Sequence, residues 1–145
     1  MGADRLSIHK RTMMPVDYLK PKGMHQNPAF TQALVVPAGS RLVLIGGQNS
    51  VNEKGELVPG DLGAQTTQAL NNLKLCLDAA GAQISDLVKV TIYIAGDLDI
   101  MPGFQSWQKF AGQPTNPPIV TVLKVLALGR PGVLVEIEAT AVLPG

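Results

Sequence analysis

Residues 133–142 read VLVEIEATAV and follow the turn signal Arg130-Pro131-Gly132. Alternate side chains of an extended chain face opposite ways. Val133, Val135, Ile137, Ala139 and Ala141 therefore share one face, and Leu134, Glu136, Glu138, Thr140 and Val142 share the other. The first set is a core face. A β-branched, glycine-bounded run of this kind predicts a strand inside a sheet rather than a solvated edge. Its second face then carries two carboxylates on an otherwise apolar segment, and a carboxylate withdrawn from water needs a donor, a cation or a ligand. The residues alone leave two readings open: Glu136 and Glu138 point into solvent, or they mark a site.

The rest of the chain supplies elements to surround that strand. Residues 5–12 form a poorly alternating first strand, and residues 15–28, with three prolines and Gly23, read as an irregular connection. Residues 31–36 and 41–45 are β-leaning on either side of Pro37-Ala38-Gly39-Ser40, which predicts a hairpin ending at Gly46 and Gly47. Those glycines permit either a positive φ or the close approach of another group. After a polar loop over 49–60, Asp61 is placed to cap a helix. Leu62, Thr66, Ala69, Leu70, Leu73, Cys76, Leu77 and Ala80 recur at helical spacing until Gly81, with Gln68, Asn71, Asn72 and Asp78 opposite. Residues 87–95 (LVKVTIYIA) alternate as a central strand. Asp99 is positioned to cap a second helix over 100–111, with Pro102 in its first turn and Ile100, Phe104, Trp107 and Phe110 near one face. Residues 119–128 then form a strand that leads through 129–132 into the last one as a second hairpin. The expected layout is α+β, with both helices on one face of the sheet. The other face, apolar and uncovered, predicts self-association.

With 46% hydrophobic but only 4% aromatic residues, the core must be aliphatic. A chain of 145 residues is expected to form one domain over 1–145, residues 1–26 supplying the first strand and connection. The net charge of +1 gives no broad footprint for nucleic acid or a membrane surface. Basic residues at 5, 10, 11, 20 and 22 read as a solvated face. The single cysteine, Cys76, excludes an internal disulfide and fits a cytoplasmic protein, and its helical apolar setting fits a packed thiol. His9 and His25 have no partners at ligand spacing, so no metal and no cofactor is implied. No apolar run reaches membrane-spanning length, and MGADRLSIHK lacks a signal-peptide layout.

The runs GGQNSVNEKGELVPGDLGAQTTQALNNLKLCLDAAGA, LVKVTIYIAGDLD and ALGRPGVLVEIEATAV resemble the Rid superfamily, the reactive intermediate deaminases also called YjgF-like or endoribonuclease L-PSP-like proteins. The resemblance runs from about residue 27 to the end. It implies a chorismate-mutase-like α+β domain, a homotrimer, and small-molecule ligands held in clefts between subunits. In the deaminase branch an arginine grips the substrate carboxylate, a glutamate positions water for attack on an imine, and a tyrosine, a serine and backbone amides line the pocket. Carried over position by position, the glutamate of VEIEA falls on Glu136 as the catalytic candidate, and the glycine before the family's glutamine falls on Gly47, beside Gln48. Three positions depart from the pattern. The tyrosine of the GPYSQA-like motif falls on Phe30, the serine of SGQ on Gly46, and the arginine of PPAR on Ile119 or Val120. Phe104 and Trp107 complete the candidate binding set, with ordinary core packing as their other reading.

Loss of a buried bidentate partner for a substrate carboxylate costs about 2–5 kcal/mol. Ordinary 2-imino acids are accordingly expected to be poor substrates. Arg130 is no substitute within one subunit, because six residues of extended chain put it roughly 20 Å from Glu136. The function implied is a small-molecule cleft protein, an imine or enamine deaminase with altered substrate preference or a non-catalytic ligand-binding or regulatory trimer. Cleavage of RNA would need a histidine pair or basic groove that the sequence lacks.

Overall fold

A computed structural model describes residues 15–145, so the strand expected over 5–12 lies outside the described residues. Strands β1 (Asp17–Leu19), β2 (Ala33–Val35) and β3 (Arg41–Gln48) precede helix α1 (Leu62–Ala80). Strand β4 (Leu87–Ala95), helix α2 (Met101–Ala111), and strands β5 (Ile119–Val125) and β6 (Val135–Leu143) follow. The main sheet has the order β3-β6-β4-β5, with β6 antiparallel to both neighbours and β4 parallel to β5.

The central position of β6 agrees with its residue pattern. Val133, Val135, Ile137, Ala139 and Ala141 are all buried, Ile137 and Ala141 to 0% exposure. Both expected hairpins are wrong. Strand β2 pairs with β1 in a separate two-stranded sheet, and β5 lies beside β4 after a crossover through α2. A turn signal says only that the chain reverses, whereas pairing goes to the strand that buries more apolar surface. β6 takes the place between β3 and β4 and separates the sequence neighbours. β1 also falls within the stretch expected to be irregular, since three residues are too few to show alternation.

Helix α1 begins and ends as its sequence predicts. The Asp61 side chain accepts from the Ala64 N–H, and Gly81, at φ 70°, donates to the Asp78 and Leu77 carbonyls. Its buried face of Leu62, Ala69, Leu70, Leu73 and Leu77 packs on the sheet with Ile45, Val90 and Ile137. The buried Gln65 ties the helix to the approach of β6. Its Nε2 donates to the Gly132 carbonyl at 3.0 Å, and its Oε1 accepts from the Leu134 N–H at 2.9 Å.

Helix α2 starts one residue later than expected, although Asp99 still accepts from the Met101 N–H at 3.0 Å. It lies on the same sheet face but leans on α1. Ser106 Oγ donates to the Gly63 carbonyl at 2.9 Å, and Gly103 sits so close to α1 that a Cβ there would lie 3.2 Å from Thr66 Oγ1. Among the described residues, no helix is long and apolar enough to cross a membrane.

Truncating Ile137 to Ala should lower stability by about 2–5 kcal/mol, because its neighbours on a twice-paired strand cannot close the void. Asp61→Ala should cost only about 0.5–2 kcal/mol, the range for a lost helix cap. Urea unfolding of both variants checks the order, and a larger loss in the cap variant would contradict it.

Candidate functional site

The strand pair β3–β6 loses register between Ile45 and Gln48. Ile45 faces Ala139 and Gln48 faces Ile137, so three steps on β3 span two on β6. The extra residue makes a bulge at Gly46-Gly47. Neither glycine has positive φ. Gly47 is required by close approach: a Cβ there would lie 2.8 Å from Cδ of Glu136 and 2.9 Å from its Cγ. Alternation on β6 places Glu136 on the face away from the helices.

The half-buried Glu136 accepts one hydrogen bond at Oε1, from Asn49 Nδ2 at 3.3 Å. Among the described residues Oε2 has no hydrogen-bond partner, and the two ion pairs, Lys74–Asp78 and Lys124–Asp97, lie elsewhere. Asn49 is itself held firmly. Asn72 Nδ2 donates to its carbonyl at 2.9 Å and to that of Val51 at 2.8 Å, while the buried Ser50 exchanges hydrogen bonds with Val58. Asn72, expected to face water, thus braces the loop over 49–60. Arg130 reaches the same loop, donating to the Gly55 carbonyl at 2.9 Å.

Tyr93 stands opposite Glu136 on β4, and its hydroxyl donates to Glu138 Oε1 at 2.8 Å. That hydrogen bond, followed by desolvation and the negative charges of Glu138 and Glu136, raises the phenol above its ordinary pKa. The folded phenol therefore holds its proton more tightly than the unfolded one. The pair favours the fold below pH 10.0 and loses that effect as pH rises through the raised value. Lys89, Thr91 and Thr140 share this face with exposed Leu42, Leu44 and Leu123, so the face expected to be apolar is mixed.

Four of the candidate binding residues lie on the other side of the sheet. Phe30, Phe104, Trp107 and Val120 border a pocket of about 300 Å³ between α2 and the inner face of β4, β5 and β6. Ile119, one residue earlier on β5, faces the opposite way. Glu136, Gly46, Gly47 and Gln48 are thus brought together at the bulge, and the aromatic set is brought together away from them. Sequence reasoning missed Asn49 and Tyr93. The position of Asn49 directly after Gly-Gly-Gln was an available signal, whereas Tyr93 depends on the register between β4 and β6.

A mixed sheet covered on one face by two helices, with a carboxylate seated over a glycine bulge on the other, defines a class of small α+β proteins organised on one central strand. The family model described as Endoribonuclease L-PSP matches residues 23–143, and the chain belongs to this family, which includes the Rid, YjgF and RutC proteins. It is 36% identical over 113 residues to a RutC family protein of Pyrococcus horikoshii, covering 77% of this chain and 85% of that one. Identity to the 2-iminobutanoate/2-iminopropanoate deaminase of Escherichia coli is 32% over 102 residues, 70% of this chain and 79% of the other. Among solved structures, the Rid-family protein YyfB of Yersinia pestis superposes with a TM-score of 0.77 at 35% identity, over 90% of this chain and all of that one. The YjgF gene product of Escherichia coli gives 0.63 at 33% identity, over 74% and 84%.

Two measurements test this geometry. Gly47→Ala should cost about 1–3 kcal/mol by overpacking, and the cost should shrink when Glu136 is also Ala; equal costs in both backgrounds would show that the two residues do not press on each other. In an alkaline absorbance titration, both tyrosines should ionise above 10.0, Tyr18 because of burial and then the charge of Asp86. Glu138→Gln should bring one of the two down toward the ordinary value, and no change in that variant would contradict the Tyr93–Glu138 pair.

Proposed function

We propose that this protein hydrolyses small imines or enamines that lack a carboxylate, in clefts between the subunits of a homotrimer. The observation that carries the reading is Glu136, fixed over Gly47, oriented at one oxygen by Asn49 and free of any cation at the other among the described residues. A carboxylate so held can take a proton from water as the water oxygen bonds to the imine carbon. The proton passes to nitrogen to give a carbinolamine; its hydroxyl proton then moves to the amine as the carbon–nitrogen bond breaks, and ammonia leaves a carbonyl product. The Gly47 amide is the candidate for steadying charge during addition.

Substrate preference follows from the positions where the family pattern fails. Phe30 stands where the resemblance places a tyrosine and Ile119 or Val120 where it places an arginine, and among the described residues no cationic side chain lines the pocket that Phe30 and Val120 border. The similarity to 2-iminobutanoate/2-iminopropanoate deaminases supports imine chemistry. The missing cation argues against their carboxylate-bearing substrates.

Ammonia release from imines generated in solution should accelerate for a carboxylate-free imine and much less for a 2-imino acid. Glu136→Gln should lower the rate by about 10²–10⁴-fold, the usual contribution of a positioned acid or base. Unchanged turnover in that variant sinks the mechanism. No acceleration of either imine would instead favour the non-catalytic ligand-binding trimer.

A further inference from the structure

The pocket under α2 exists because of how the two helices meet. Gly63 and Gly103 bring α1 and α2 together: a Cβ on Gly63 would be 3.4 Å from Pro102, and one on Gly103 would be 3.2 Å from Thr66. Of the α2 residues only Gly103 is buried. The helix is drawn onto α1 and stands off from the β4–β5 side of the sheet. Its apolar side chains therefore line a space rather than fill one. Ile100 just before α2, Phe104 on α2 and Val122 on β5 remain 39%, 39% and 45% exposed around it. The walls below are Ile92, Ile94, Val135 and Ile137.

The chemistry of the lining selects the ligand. Among the described residues no charged side chain borders the pocket. Of the polar side chains that do, Thr66 Oγ1 donates to the Leu62 carbonyl at 2.6 Å and Asn27 Oδ1 accepts from the Ala29 N–H at 2.8 Å, which leaves the neutral N–H groups of the Asn27 amide and the Trp107 indole as the donors of the lining. A carboxylate or phosphate placed there would give up its hydration and meet no cation. An apolar group gains from each wall. The volume of about 300 Å³ exceeds the roughly 150 Å³ cavity that holds benzene, so a substituted aromatic ring fits.

We propose that this pocket binds an uncharged aromatic ring or a branched aliphatic group of similar size and, resting on the function proposed above, that this group is the side chain of the imine substrate. Glu136 lies on the opposite face of its own sheet, so the pocket of one copy serves the Glu136 of a neighbour.

Trp107, the single tryptophan of the chain, borders the pocket and reports on it. Benzyl alcohol should change its emission saturably, whereas benzoate should bind at least tenfold more weakly and ethanol should give no saturable change. Val122→Phe, on a part-exposed position of an edge strand, should fill the pocket and weaken benzyl alcohol binding at least tenfold, with circular dichroism confirming the fold. Val120→Phe is the second filling variant. Equal binding of benzyl alcohol to wild type and both variants overturns the proposal, as does a Trp107 signal unmoved up to the solubility limit. In ammonia-release assays the imine of phenylacetaldehyde should exceed that of acetaldehyde at least tenfold in kcat/KM, and Val122→Phe should bring the ratio toward one. Equal turnover of the two imines, with a ratio insensitive to the variant, overturns the pocket's substrate role and leaves the deaminase reading intact. Binding of benzyl alcohol that both variants weaken, without turnover of either imine, supports the pocket and removes the deaminase reading.

Discussion

Strand β6 is hydrogen-bonded along both edges, to β3 and to β4, and that double pairing fixes which way each of its side chains points. A slip of one residue would carry Ile137 and Ala139 into solvent and the two glutamates into the aliphatic core, so the register is strongly held. Core and candidate site thus have one origin. The burial of alternate positions at 0–6% exposure is what keeps Glu136 and Glu138 on the face away from the helices.

The bulge in β3 follows from the same constraint. Glu136 needs room for its carboxyl carbon beside a neighbouring backbone, and a Cβ at position 47 would come within 2.8 Å of it. Glycine there combines with an extra residue that lets β3 bend around the side chain. Asn49 then emerges from the bulge at hydrogen-bonding distance, held by Asn72 on α1. A polar residue that a helical wheel assigns to solvent therefore acts, through a loop carbonyl, on the placement of the carboxylate.

Residue pattern made some parts of this molecule legible and concealed others for physical reasons. Helix α1 was readable to the residue, because Asp61 and Gly81 are local signals with local consequences. The faces of β6 were readable because alternation is a property of one strand. Pairing is not such a property. Pro37 to Ser40 and Arg130 to Gly132 both announce a reversal, yet β2 joins β1 and β5 joins β4, because the choice of partner depends on residues far away in sequence. Gly46-Gly47 left positive φ and close approach equally open, and only the position of Glu136 decides between them. Phe30, Phe104 and Trp107 could be grouped as aromatic from the sequence, but not assigned to one side of the sheet. The resemblance supplied Glu136 and Gly47, which the structure places in contact, and Phe30 with Ile119 or Val120, of which Phe30 and Val120 border one pocket while Ile119 faces the other side of the sheet.

The two pairs are separated by the sheet itself, and that separation bears on how any site joining them must be built. Side chains on opposite faces of one sheet diverge, and rotamer changes cannot bring Glu136 to the pocket beside Trp107 without breaking the pairing of β6. On the reading proposed here, the joining element is a second copy that presents its glutamate face near the first copy's pocket. The outer face suits such an approach because it is mixed, with Leu42, Leu44 and Leu123 offering apolar area around Tyr93 and Glu138. Each subunit then contributes a polar half to one cleft and an apolar half to the next. On that same reading, substrate preference changes through the apolar half, as at Phe30, while the carboxylate and its glycine seat keep their geometry, because the two halves share a strand but no side chain.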